Sequence, residues 1–332
     1  MKFSVLNIFI LIITLIKVDF YISQDFHYSM IEMSPLNLNP ALTGWYGSDA
    51  RISAHQRSQW GSVSVPFNTM SFSVDSKNKR IPLGLQINQD KAGDSKFNTF
   101  QANISSAYSF YGDTIQNIRF GIQMGLTNRS FDINPLSFDA QYNGLNYDSN
   151  LPNMETISNN SNLYPNINLG LLYSRLFRKN QKLTTNFAFF NLNRSNQSFF
   201  GETSPLDVKF ISRIEYEIQL KKFIGIKPSI LFLKQGAHKE LVVGFEGTYT
   251  STSFMEFKRS YWASVYYRNH DALFISTGIL HDQWKLGISY DINLSKLIPA
   301  SRHRGGFEIG LIYFFKRKLN LESPLLICPD YL

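Results

Sequence analysis

The chain of 332 residues has a single cysteine, Cys328, so no intramolecular disulfide framework is open to it. Charged residues make up only 17% of it, against roughly 25% in an average soluble protein. After the N-terminal leader no apolar run reaches the ~20 residues of a helical membrane span. Catalytic constellations are missing as well. The six histidines (His27, His55, His238, His270, His281, His303) never fall at metal-ligand spacing. There is no Gly-x-Ser-x-Gly elbow, phosphate loop or dinucleotide fingerprint. No catalytic, cofactor or metal site is therefore expected, and no cofactor. A hydrolase assembled from Ser and His on separate strands is left open with nothing pointing to it.

What is abundant is aromatic: 15% of the chain, with 28 Phe and 17 Tyr. Many aromatics with little charge and much Asn, Ser and Gln is how a two-faced sheet reads when one face meets lipid. Residues 1–23 read as a signal peptide, with Lys2 ahead of the apolar stretch Val5 to Ile16 and Ser23 at the cleavage position. An uncleaved anchor is the competing reading, but Lys17 and Asp19 cut the run short. The net charge is +8, and loss of Lys2, Lys17 and Asp19 with the leader leaves +7. The basic residues cluster at turns (Lys77 to Arg80, Arg178-Lys179, Lys221-Lys222, Lys316 to Lys318). That is the spacing of interfacial charges rather than of a binding patch, and no nucleic acid is expected.

The recurring pattern is strict alternation over about ten residues between polar turns. Trp284, Leu286, Ile288, Tyr290 and Ile292 share one face, with Lys285, Gly287, Ser289, Asp291 and Asn293 on the other. Such segments fall at 49–58, 66–75, 81–90, 97–110, 115–128, 166–177, 181–191, 207–220, 224–235, 240–250, 253–268, 271–280, 283–293 and 305–315. Their length suits tilted membrane strands, which need about 9–11 residues. The prediction is an all-β fold: a transmembrane antiparallel β-barrel of about 14 strands spanning 49–315. A plug-like segment at 24–48 precedes it and a periplasmic tail at 316–332 follows. A soluble β-sandwich shares the alternation but not the strand lengths or the aromatics at strand ends. The long connections 129–165, 192–206 and 294–304 all follow odd-numbered strands, which places short turns in the periplasm and loops outside a bacterial outer membrane.

The ionisable side chains expected to face inward mix signs: Arg51, Arg119, Lys209, Arg213 and Lys285 with Glu215, Glu217, Glu246, Asp291 and Glu308. A selective pore tends to concentrate one sign, so a packed lumen is expected. In the plug-like segment, Asn39 is a good N-cap, Pro40 suits the first helical position, Ala41 follows, and Gly44 can end the turn. This short capped turn is expected at the periplasmic mouth or tucked into the lumen, immediately before strand one, where it blocks the barrel from the periplasmic side. Arg57, Gln59 and Trp60, at the outer end of strand one, are candidates for a partner contact or for an interfacial Trp with its neighbours.

Several ordered stretches resemble the PorP/SprF family of type IX secretion system membrane proteins. They are "PLNLNPALTG", "HQRSQW", "NTMSFSVD", the mid-chain "SFDINPLSFDAQYNG" and the closing "WKLGISYDINLSKLIPASRHRGGFEIGLIYFF". The tail departs from the family: Cys328 and Pro329 are kept, but Asp330 stands where the family often has Arg. The resemblance implies a non-enzymatic outer-membrane barrel supporting protein secretion, gliding motility or anchoring of a surface adhesin with a C-terminal sorting domain. Implied partners are periplasmic ring proteins, a peptidoglycan-binding lipoprotein and the secreted adhesin, besides outer-membrane lipid. Cys328 and Pro329 are candidates for a partner contact. A passive channel for small solutes is the alternative.

Overall fold

The computed structural model describes residues 25–316 apart from 60, 62–64, 78–80, 94, 114, 134–135, 149, 153, 156–159, 179, 253–257 and 296–297. The expected leader at 1–23 and nearly all of the tail at 316–332 lie outside the described residues. Alternation of side chains between two environments produces fourteen strands in a closed antiparallel barrel. They are β1 (Ala50–Gln59), β2 (Phe67–Ser76), β3 (Leu83–Ala92), β4 (Phe97–Gly112), β5 (Gln116–Ser130), β6 (Ser161–Arg178) and β7 (Gln181–Phe190). The second half comprises β8 (Lys209–Lys221), β9 (Ile224–Gln235), β10 (His238–Thr252), β11 (Lys258–Arg268), β12 (Ala272–His281), β13 (Trp284–Asn293) and β14 (Arg304–Phe315). Each strand pairs with the next in sequence, and β1 pairs with β14 to close the ring, so no edge is left open.

The outer wall presents Leu85, Ile104, Phe120, Met124, Ile230, Val243, Ile275 and Ile309 among its exposed apolar residues. Tyr108, Phe110, Tyr261, Trp284 and Phe315 are exposed nearer the strand ends. This distribution matches an apolar band between aromatic girdles. The inward face is polar and buried: Arg51, Ser53, His55 and Arg57 follow one another on alternate positions of β1. On the β2–β7 side the lining is mostly uncharged. Gln86, Asn103, Gln123, Asn166 and Asn168 donate and accept among themselves at 2.7 to 3.5 Å. Charges gather on β8–β14 and β1.

Connections differ between the two rims. The long ones follow β5, β7 and β13, and the rim carrying the ends of even-numbered strands has only short turns. The first described residues do not stay at either mouth. Asp25 sits at the long-loop rim, where its carboxylate accepts from Asn191 Nδ2 (2.6 Å) and Gln235 Nε2 (3.1 Å). The chain then descends through the lumen until Asp49 N donates to Phe315 O (2.8 Å) at the short-turn rim and β1 begins. The segment thus fills the whole height of the barrel, where a turn at the periplasmic mouth or tucked into the lumen was expected. Its path is set by contacts to distant strands, which local turn chemistry does not encode.

Candidate functional site: the plugged lumen

Residues 25–49 contain two 3-10 turns, Ile31–Met33 and Pro40–Leu42, and one α-helical turn, Pro35–Leu38. No turn is long enough to be stable alone; the wall supplies what the segment lacks. Leu36 and Ala41 are 0% exposed and Met33 1%. Ile31 and Leu38 join Ile211, Leu231, Leu233, Val242 and Phe274 in one apolar cluster. Met30 and Met33 meet Trp262 and Ile312 in another. Full burial of a Leu or Met side chain contributes about 1.5–3 kcal/mol, so these contacts offset much of the cost of ordering the segment.

Asn39 caps the Pro40–Leu42 turn by accepting from Ala41 N at 2.8 Å. Its Nδ2 donates outward to Leu171 O (2.9 Å) and Asn186 Oδ1 (3.2 Å). The turn rests on two glycines in register, Gly121 of β5 and Gly170 of β6. A Cβ on Gly121 would fall on the Pro40–Ala41 peptide, and one on Gly170 on Asn39 Oδ1. A second flat patch, Gly278, Gly287 and Gly310 in register on β12–β14, receives the Trp262 ring and Met33. Gly44 takes a left-handed φ of 69° as the segment turns toward β1, its N donating to Asp75 Oδ2 at 2.7 Å.

Three ionic nodes tie the segment down. Nearest the long-loop rim, Arg57 bonds Asp291 Oδ2 (2.9 Å), Ser29 Oγ (2.6 Å) and Glu308. Glu308 in turn accepts from the backbone N of Ser29 (2.6 Å) and Met30 (2.8 Å). Arg268, paired with Glu240 at 3.0 Å, also donates to Ser29 Oγ (2.8 Å). Midway, Glu32 meets Arg213, Lys227 (3.1 Å) and Lys285 (4.0 Å). Near the short-turn rim, Arg51 grips Asp75 with two bonds of 2.9 Å, while Arg119 donates to Ala41 O (3.1 Å) and Thr43 O (2.6 Å). His27 is carried in the segment itself, and burial pushes its pKa down to about 3 despite the opposing pull of Glu240.

Arg57 therefore points into the lumen at 2% exposure, on the same face as Arg51 and His55. Gln59, at the end of β1, accepts from Arg57 Nε at 3.0 Å. Trp60, Cys328 and Pro329 lie outside the described residues. Of the ionisable groups expected inside, Glu217 is exposed near the short-turn end of β8. Glu32, Ser29, Lys227, Glu240 and Arg268 carry no motif in the sequence; their signal lies in pairings between residues far apart in the chain.

Ser34 Oγ lies 2.9 Å from His55 Nδ1, and His55 Nε2 lies 3.1 Å from Glu308 Oε2. The order resembles a nucleophile–base–acid relay. Ser34 is 1% exposed, and Glu308 is already committed to Arg57 and two backbone amides. Cavities between plug and wall of about 30 and 40 Å³ are not lined by Ser34. Each has room for one or two waters. Among the described residues no cluster of His, Cys, Asp and Glu is suited to a metal ion. The arrangement locks the segment in place.

A closed barrel with a polar lumen filled by its own N-terminal segment defines a plugged membrane β-barrel of the outer-membrane type. The Type IX secretion system membrane protein PorP/SprF family matches residues 21–313, and the chain belongs to that family. Family and fold are not those of known enzymes. Comparison with curated proteins gave no match. Among solved structures, the toluene transporter TbuX of Ralstonia pickettii is similar over 85% of this chain and 93% of its own, with a TM-score of 0.50 at 9% identity. The CymD monoaromatic hydrocarbon channel is similar over 89% and 95%, with a TM-score of 0.50 at 10% identity. At such identities the likeness is one of fold.

Proposed function

We propose that the protein is a non-enzymatic barrel of the type IX secretion system that supports secretion or surface anchoring of a protein with a C-terminal sorting domain, such as a large adhesin. Family membership over residues 21–313 carries this reading. In it, the short-turn rim faces the periplasm and meets the ring proteins of the machine and a peptidoglycan-binding lipoprotein. The lumen is a scaffold rather than a path. Segment 25–49 bonds to wall residues from Gln235 at one rim to Asp75 at the other; cavities of about 30 and 40 Å³ beside residues 25–37 are water-sized, and a pocket of about 410 Å³ lined by Gly44, Ser48 and Asp49 lies at the short-turn rim. Deleting the gene should remove one or more sorting-domain proteins from the cell surface; an unchanged surface proteome contradicts the reading.

The second reading, a passive channel for small solutes, rests on the barrel fold shared with TbuX and CymD. Liposome swelling separates the two: the scaffold gives no solute flux, the channel does.

A further inference from the structure

The tips of two neighbouring hairpins, β6–β7 and β8–β9, pack against each other at the short-turn rim. Gln219 N donates to Asn180 O (2.9 Å), Tyr216 OH donates to Gln181 Oε1 (3.1 Å), and the Phe177 and Tyr216 rings meet edge-on at 6.4 Å. This brings Arg175, Arg178, Lys221 and Lys222, all exposed, onto one arc. None of the four forms an ion pair among the described residues, whose ion pairs at this rim include Lys316–Asp282 at 3.9 Å. The exposed carboxylate in the arc is Glu217, which stands opposite Lys182 in register. Among the described residues elsewhere on the rim, Lys77, Arg259 and Lys316 are exposed together with Asp49, Asp113 and Asp282.

The cations are also aimed. The Arg175 guanidinium lies over the Phe177 ring at 5.1 Å and the Lys222 ammonium over the Phe223 ring at 5.4 Å. Phe177 and Phe223 are exposed, as are Leu176 and Leu220 beside them. Rings at such a boundary sit at headgroup level, so cations stacked on them lie in the phosphate layer, their stems covering apolar surface. An acidic soluble partner would need the charges turned away from the lipid-facing rings.

We propose that this arc is a docking site for anionic phospholipid in the leaflet at the short-turn rim. The arginines offer forked donors to the phosphodiester and the lysines point charges. The site is independent of the secretion role assigned above.

The test uses the full chain purified in detergent, exchanged with phosphatidylglycerol or phosphatidylcholine, and native mass spectrometry to count retained lipid. Wild type should keep phosphatidylglycerol over phosphatidylcholine by about tenfold, the order expected of several interfacial cations. The variant R175Q/R178Q/K221Q/K222Q should bring the ratio to near parity, and K77Q/R259Q/K316Q should leave it unchanged. Heat-modifiable migration on gels checks that each variant is folded. If the fourfold variant does not fold, R178Q/K221Q should show a smaller loss in the same direction. Equal retention of the two lipids by wild type, equal losses from both variants, or arc-dependent capture of polyglutamate without a lipid preference overturns the assignment.

Discussion

Gly121 and Gly170 face each other across β5 and β6, and together they make the flat seat for the Asn39–Pro40–Ala41 turn. Neither position has space for a side chain without moving the plug. Gly170→Val should weaken the seat by about 1–3 kcal/mol, the usual cost of overpacking, while leaving strand pairing intact. Hydrogen exchange of residues 36–43 should rise in this variant while exchange in β9–β12 stays at the wild-type level. Equal increases in both regions would mean that the substitution damages the barrel rather than the seat.

Arg57 joins β1, β13, β14 and the plug through Asp291, Glu308 and Ser29. Arg57→Ala removes the cation that two buried carboxylates share and should cost about 3–5 kcal/mol, as for other broken buried pairs. The urea midpoint of unfolding in micelles should fall accordingly. Gln59→Ala removes one rim acceptor and should shift it by less than about 1 kcal/mol. Equal effects of the two would place Arg57 outside the lock.

Acid should loosen the plug. His27 is held at about 3 by burial, against 6.5 when free, so a released segment binds a proton that the seated one refuses. The seated state is favoured in full above about pH 6.5 and loses about 1.4 kcal/mol per unit as pH falls toward 3. Exchange of residues 25–34, corrected for the intrinsic pH effect, should rise between pH 7.5 and 5. His27→Gln should flatten that slope, and a slope unchanged by this variant would remove His27 from the account.

A barrel sealed along its height should be electrically silent. In planar bilayers the wild-type protein should show no steady conductance, and deletion of residues 25–45 should open one of the order expected for a small polar lumen. Steady wild-type conductance would restore the channel reading.

Alternation alone located the wall. The segments at 224–235 and 283–293 fall within a residue of β9 and β13, because a lipid-facing residue at every second position leaves no other register. The same rule put Arg213, Asp291 and Glu308 on the inward face. It carries no information about which partner each one finds. Glu32 reaches Arg213 and Lys227 across 181 and 195 residues, and Ser29 reaches Glu308 across 279. The plug has no period of its own, so its capped turn and a place at the mouth or in the lumen were readable, while its path over the full height of the barrel was not. Arg57 illustrates the limit: its place near the end of β1 favoured a rim contact, while the β1 alternation that buries Arg51 and His55 also buries it.

The most direct measurement of the central claim is quantitative surface proteomics of the native host with the gene deleted and then restored. The account predicts that one or more proteins bearing a C-terminal sorting domain leave the surface on deletion and return with the wild-type gene. A surface proteome that is the same with and without the gene would contradict it.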